Sequence, residues 1–333
     1  MPLMFANIKQ AGLFIRRRPK RTVASLILAG FIALNLLAYI HAHAMTHFVV
    51  DGQSTPSPER LSLAQKIGVL ATGVRLARPK NTGTPGNIGL DFTEHTLETS
   101  DGLRLHAWHI PAEDSSAVCV FFHGYGAAKS DLLPEAAEFH RWGYDTVLVD
   151  FRGSGDSLGD VTTIGFLEAD DVAAAVDYVR EQFPNKPLWL YGRSMGSVAI
   201  LRSISQGDVQ PAGVILECPF DRLLSTAKNR FAAMGLPGFP AAELLVFWGG
   251  AQHGYSGWAH NPADYAAEVR CPTLLMRGEN DTRVTEPQLH SVYERLADPK
   301  RLHTFDGVGH AAYLPAAPDQ WRSAVRQFLD ESR

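Results

Sequence analysis

Cysteine is scarce. Cys119, Cys218 and Cys271 are the three in 333 residues, too few and too scattered for a disulfide framework, and they are expected to be unpaired buried thiols. No Cys-x-x-Cys pair and no His-Glu-x-x-His run occurs, so neither a zinc ribbon nor a zincin is supported. Repeats and low-complexity tracts are lacking too, and a composition of 45% hydrophobic and 20% charged residues excludes disorder. Acid is missing before Asp51, where Lys9, Arg16, Arg17, Arg18, Lys20 and Arg21 carry all the charge. Of 31 Lys and Arg these are six, so the remainder sets 25 against 35 Asp and Glu, a balance of −10. Such an acidic body argues against nucleic acid as a partner.

Charge is absent altogether from residues 23–40, VASLILAGFIALNLLAYI, where only Ser25 and Asn35 are clearly polar. As a helix at about 1.5 Å per residue this run nearly covers a hydrocarbon core of about 30 Å. Basic residues ahead of it predict a cytoplasmic N-terminus over 1–22, a transmembrane helix over 23–40, and everything beyond on the exported side of the cell membrane. Ala42-His43-Ala44 resembles a signal-peptide cleavage site, which would give a secreted or periplasmic form. The apolar run is longer than the usual signal core, which favours a retained single-pass anchor. Residues 41–90 read as a tether, turn-rich at 54–58 and 79–86. Between these, Leu63, Ile67, Leu70 and Val74 are spaced along one face of a short helix.

From residue 91 to 333 the pattern is that of one α/β domain. Two β-rich segments flank the Ser100-Asp101-Gly102 hairpin signal, and short apolar strands then alternate with helical stretches. This predicts a mostly parallel sheet with helices on both faces. The alternation stops over 219–261, an insertion carrying Phe231, Met234, Phe239, Leu245, Phe247, Trp248 and Trp258. A long apolar insertion is read as a lid or acyl-binding wall, with simple packing on the sheet as the alternative.

Gly-x-Ser-x-Gly occurs twice, at 192–196 and at 155–159. The motif has chemical meaning only on a sharp strand-to-helix turn that thrusts the serine above the sheet. Leu188-Trp189-Leu190-Tyr191 precedes the first match and a helix follows it, whereas the second sits in a glycine-rich loop. Context therefore selects Ser194 over Ser157. A serine hydroxyl needs a base, and the base needs an orienting carboxylate. His310, in Gly307-Val308-Gly309-His310 after the last strand, is the expected base. Asp281, in Gly278-Glu279-Asn280-Asp281, is the expected acid, with Asp221 as its rival. His123 is expected to prop its loop, and His253 and His260 to be structural. The backbone amides of Met195 and Tyr125 are the expected oxyanion donors.

Together His123-Gly124-Tyr125-Gly126, Asp150-Phe151-Arg152-Gly153-Ser154-Gly155, Gly192-Arg193-Ser194-Met195-Gly196, Gly278-Glu279-Asn280-Asp281 and Gly307-Val308-Gly309-His310 resemble the α/β-hydrolase superfamily. The branch it resembles holds serine hydrolases of the monoacylglycerol lipase and serine aminopeptidase type, including membrane-anchored bacterial and BEM46-like members. The resemblance implies an α/β-hydrolase fold over about 91–330 and hydrolysis of small-molecule acyl esters through an acyl-enzyme, without metal or cofactor. A peptidase or thioesterase on the same triad, and a catalytically inactive binding protein, are the competing readings.

Overall fold

The computed structural model describes residues 19–50, 52–56, 60–207 and 209–332; of the basic N-terminal charges, only Lys20 and Arg21 fall within these. The hairpin folds where its turn residues place it: β1 (Thr93–Glu98) pairs antiparallel with β2 (Arg104–Ile110), Leu97 facing Leu105. From β2 the sheet continues antiparallel into β4 (Tyr144–Val149). Beyond that it is parallel through β3 (Ala117–Phe122), β5 (Leu188–Arg193), β6 (Gly213–Glu217), β7 (Thr273–Gly278) and β8 (Lys300–Phe305). The order is β1-β2-β4-β3-β5-β6-β7-β8, the mixed α/β sheet that the sequence predicts.

Strands β3, β4, β6 and β7 are buried at every position, as a strand covered on both faces must be. The period of two divides β3 between two cores. Val118, Val120 and Phe122 join one, with α4 (Glu168–Gln182) and α5 (Met195–Ser205). Cys119 and Phe121 join the other, with α3 (Leu133–Arg141) and α11 (Pro318–Glu331). All three cysteines are unpaired.

The insertion is a helical cap of α6 (Leu223–Ala233) and α7 (Ala241–Ala251), and a short α8 (Pro262–Ala266) follows it. Phe239, Phe247 and Trp258 on it remain exposed. Helix α9 (Glu286–Arg295) and the single turn α10 (Tyr313–Ala316) complete the layer around β7 and β8.

The N-terminal helix α1 (Pro19–Thr46) is longer than 23–40 and runs through Ala42-His43-Ala44, with Ala42 buried. By length and composition it could cross a membrane. The segment 41–90 differs from the loose tether expected of it. Phe48 is buried, Val49 bridges Ala77, and Arg78 donates to the carbonyls of Gly155, Ser157 and Gly159. Asn81 donates to Asp150 and Asp156 at 3.0 and 2.8 Å. Within the segment, Ser62 and Gln65 form a capping box that starts α2 (Leu63–Thr72). Turn-rich composition here marks a strap laid over the body.

Candidate active site

Strand β5 ends at Arg193 and α5 begins at Met195, so Ser194 alone makes the turn, at φ 51° and ψ −108°. A non-glycine residue in that region is strained and is held by its surroundings. The Ser194 amide donates to the Glu217 carbonyl at 2.7 Å. The flanking glycines are sterically required: a Cβ on Gly192 would stand 2.5 Å from the Ser197 nitrogen, and one on Gly196 2.1 Å from the Phe122 carbonyl. The second match is built for something else. Ser157 is buried, donates to the Asp150 carbonyl at 2.6 Å and accepts from the His106 amide at 2.8 Å. Gly155 in turn lies against the Asp150 carboxylate, where no Cβ fits.

His310, on the loop after β8, donates from Nδ1 to Asp281 Oδ2 at 2.8 Å. The other oxygen of Asp281 accepts from the Arg283 and Val284 amides at 2.8 and 2.9 Å, which holds the carboxylate in place. Asp221, the rival, takes a hydrogen bond from Ser225 at 3.3 Å and leaves Oδ1 buried without a partner among the described residues. Cys218, at positive φ after β6, stands beside the pair: its sulfur, an Asp281 oxygen and a His310 ring nitrogen all lie within 4.8 Å of one another. Burial opposes a charge on His310, but Cys218 and Asp281 outweigh it and push the imidazole up to about 10.

Ser194, His310, Cys218, Tyr125 and Met195 line one cavity of about 530 Å³. The amides of Tyr125 and Met195 make no hydrogen bond among the described residues, so both stand free for an oxyanion at the mouth of α5. His123 props the loop before Tyr125. It is fully buried, its Nδ1 donates to the Gly124 carbonyl at 2.9 Å and its Nε2 accepts from the Phe151 amide at 3.1 Å. The Tyr125 hydroxyl donates to the Met45 carbonyl at 2.6 Å, so the end of α1 steadies the same loop. The lid supplies Phe231, Met234 and Leu245, and α1 supplies Leu34, Leu37 and Ala38.

Two clusters have the donor set of a cation site, Cys218–Asp281–His310 and His106–Asp150–Asp156. In the second the ammonium of Lys129, fully buried and pairing with both Asp150 and Asp156, already supplies the positive charge. In the first, Asp281 is saturated by two amides and His310.

Beneath the elbow lies a network that motif reading does not reach. Arg193 pairs with Glu135 and Glu217, each at 2.6 Å, and Glu217 also accepts from Tyr191 and Trp321. Burial pushes the Glu135 carboxyl up to about 7, against the pull of Arg193. These residues sit 58 and 24 positions from Arg193, and no local spacing signals such partners.

Residues 113–241 match the family model described as serine aminopeptidase, S33. In sequence the chain is 23% identical over 244 residues to the uncharacterized protein YqkD of Bacillus subtilis (strain 168), covering 72% of this chain and 80% of that one. It is 28% identical over 239 residues to the uncharacterized protein YfhR of Escherichia coli (strain K12), covering 69% and 77%. To the lysophosphatidylserine lipase ABHD12 of Danio rerio it is 23% identical over 254 residues, covering 66% and 63%. In structure it is similar to the esterase Pf2001 of Pyrococcus furiosus, with a TM-score of 0.64 at 23% identity, covering 77% of this chain and 98% of that one. The esterase EaEST of Exiguobacterium antarcticum gives 0.52 at 19%, covering 70% and 98%. At such identities the structural likeness is one of fold.

Proposed function

We propose that this chain, similar to α/β-hydrolases in fold and motifs, is a serine hydrolase cleaving carboxylic esters through an acyl-enzyme, with Ser194, His310 and Asp281 as its triad. The observation that carries this reading is the 2.8 Å His310–Asp281 hydrogen bond beside the cavity that Ser194 also lines. Ser194 Oγ attacks the ester carbonyl carbon while His310 Nε2 takes its proton; Asp281 holds the ring with Nε2 facing outward. The carbonyl oxygen becomes an oxyanion held by the amides of Tyr125 and Met195. Collapse expels the alcohol, which leaves with the proton from His310. Water then enters by the same route in reverse and frees the acid and Ser194.

An ester is favoured over a peptide by the charges around the cavity. Among the described residues its ionic lining is Arg75, Arg193, Arg230 and Arg283 against Asp131, a poor match for a cationic amino terminus. The apolar lid residues suit an acyl chain of medium or greater length, and the lipase and esterase relatives agree with that chemistry. Helix α1 is the anchor in this reading, placing the body at the exported face of the membrane. The test is a p-nitrophenyl ester series run beside aminoacyl anilides on the wild type, Ser194→Ala and Ser157→Ala. Esters are expected to turn over and anilides not. Loss of Ser194 should abolish activity, by about 10⁶ for a triad member, and loss of Ser157 should leave most of it. Equal losses would refute the choice of Ser194, and inertness of the wild type to a fluorophosphonate probe would refute the activity.

A further inference from the structure

The cavity over Ser194 is not closed by the catalytic domain alone. Leu34, Leu37, Ala38, His41 and Met45 of α1 line it, and their spacing of three and four residues places them on one face of that helix. The face turned away, with Leu28, Ile32 and Leu36, is exposed. Lid helix α7 clasps α1 at the same level. Trp248 Nε1 donates to Asn35 at 3.2 Å, Gln252 Nε2 donates to the Tyr39 carbonyl at 3.1 Å, and Tyr39 meets Trp248 edge-on at 5.4 Å. Asn35, one of the two polar residues in an otherwise apolar run, thus has its partner on the lid.

A bilayer core of about 30 Å accommodates about 20 helical residues, so counting from Arg21 it ends near Ile40. Leu34 to Ala38 then lie inside the exported leaflet, and from Tyr39 near its edge ring contacts of 5.4, 5.0 and 5.8 Å run through Trp248 to the exposed Phe247 and Trp258, residue types that favour the interface. The apolar cavity therefore meets the hydrocarbon at α1 and Ser194 at its inner end.

We propose that α1 is a wall of the substrate chamber: the acyl chain of a membrane lipid ester enters from the exported leaflet between α1 and the lid, and Leu34 and Leu37 select its length. The proposal rests on Ser194 as the nucleophile and on α1 as the membrane helix. It assigns substrate recognition to a segment whose anchoring role alone would predict none.

The test uses the full chain in phosphatidylcholine vesicles, with two readouts. In the first, Leu37→Trp and Leu34→Trp narrow the chamber, and Leu28→Trp alters the exposed face. The ratio of kcat/KM for p-nitrophenyl palmitate over butyrate is expected to fall about tenfold, the scale of one or two misfitted methylenes, in the first two variants and to stay constant in the third. Unchanged ratios in all three overturn the proposal. The second readout needs no turnover: a monoacylglycerol carrying a diazirine at the chain end is photolysed in vesicles with Ser194→Ala. Adducts on Leu34 or Leu37 together with Met234 or Leu245 support the chamber even if every ester proves inert, which would sink the esterase reading alone. Adducts confined to Leu28, Ile32 and Leu36 place the lipid outside the helix and overturn it.

Discussion

At the residue scale the proposed triad depends on which carboxylate faces which nitrogen. Asp281 holds His310 Nδ1 at 2.8 Å while two backbone amides hold Asp281, so Asp281→Asn should misorient the ring and cost about 10⁴ in kcat. Asp221→Asn, at a carboxylate bonded to Ser225, should cost little; the reverse ranking in steady-state kinetics would move the acid to Asp221. The pH profile follows from the same contacts. Burial disfavours the imidazolium, yet Cys218 and Asp281 raise the His310 pKa to about 10, and only the neutral ring can accept the Ser194 proton. Thus kcat/KM should climb as pH rises above neutrality. In Cys218→Ala, with one stabilising neighbour removed, the limb should move to lower pH. A limb at or below the ordinary histidine value, or one that Cys218→Ala leaves in place, would show that these contacts do not govern the base.

The elements that carry the proposed triad are the legible part of the molecule, and the reason is steric. A Cβ on Gly192 or Gly196 would meet backbone atoms at 2.5 and 2.1 Å, so their spacing around Ser194 leaves a mark in any sequence that makes this turn. Asp281 and His310 announced themselves by following β7 and β8. Lys129 with Asp150, Arg193 with Glu135 and Glu217, and Cys218 beside His310 were illegible, because their partners come together only once the sheet order is known. The strap over 47–81 misled for another reason: Pro79 and Asn81 hold the body through a backbone carbonyl and a short amide, groups that loose and packed loops share. Histidine shows how an element fastens the lid. His260, between α7 and α8, is fully buried; its Nε2 donates to the Ile164 carbonyl at 3.1 Å and its Nδ1 faces the Tyr265 hydroxyl at 3.1 Å. Burial lowers its pKa from 6.5 to about 4. The folded protein thus binds this proton less tightly than the unfolded chain does. Stability is complete above pH 6.5 and drains as pH falls towards 4, by on the order of 3 kcal/mol for this group. Urea midpoints should drop over that window, and His260→Gln should flatten this part of the pH dependence; an equally steep decline in the variant would assign the acid lability to other groups.

At the scale of the whole molecule, helix α1 and the α/β body are one packed unit. A flexible tether of about 40 residues would let the body range over roughly 30 to 40 Å and would make its stability indifferent to the helix. Instead Met45 accepts from Tyr125, His47 bridges Val161, and α7 meets α1 through Asn35, Tyr39 and His43. Processing after Ala44 would therefore do more than release a soluble enzyme: it would strip the lid of Asn35 and Tyr39 and open the chamber along the α1 side. Three of the lost contacts, those of Trp248 with Asn35, of Gln252 with the Tyr39 carbonyl and of Trp248 with the Tyr39 ring, contribute about 1 kcal/mol each. For a body of this size a loss of about 3 kcal/mol corresponds to roughly 5 °C or more in Tm. A chain beginning at Met45, compared with the full-length protein in one detergent, should melt lower by about that amount. Of its ester activity it should lose the long-chain part first, because short chains need only the inner end of the cavity. Identical melting points and identical chain-length profiles would mean that α1 merely tethers the body, and would return the membrane helix to an address and nothing more.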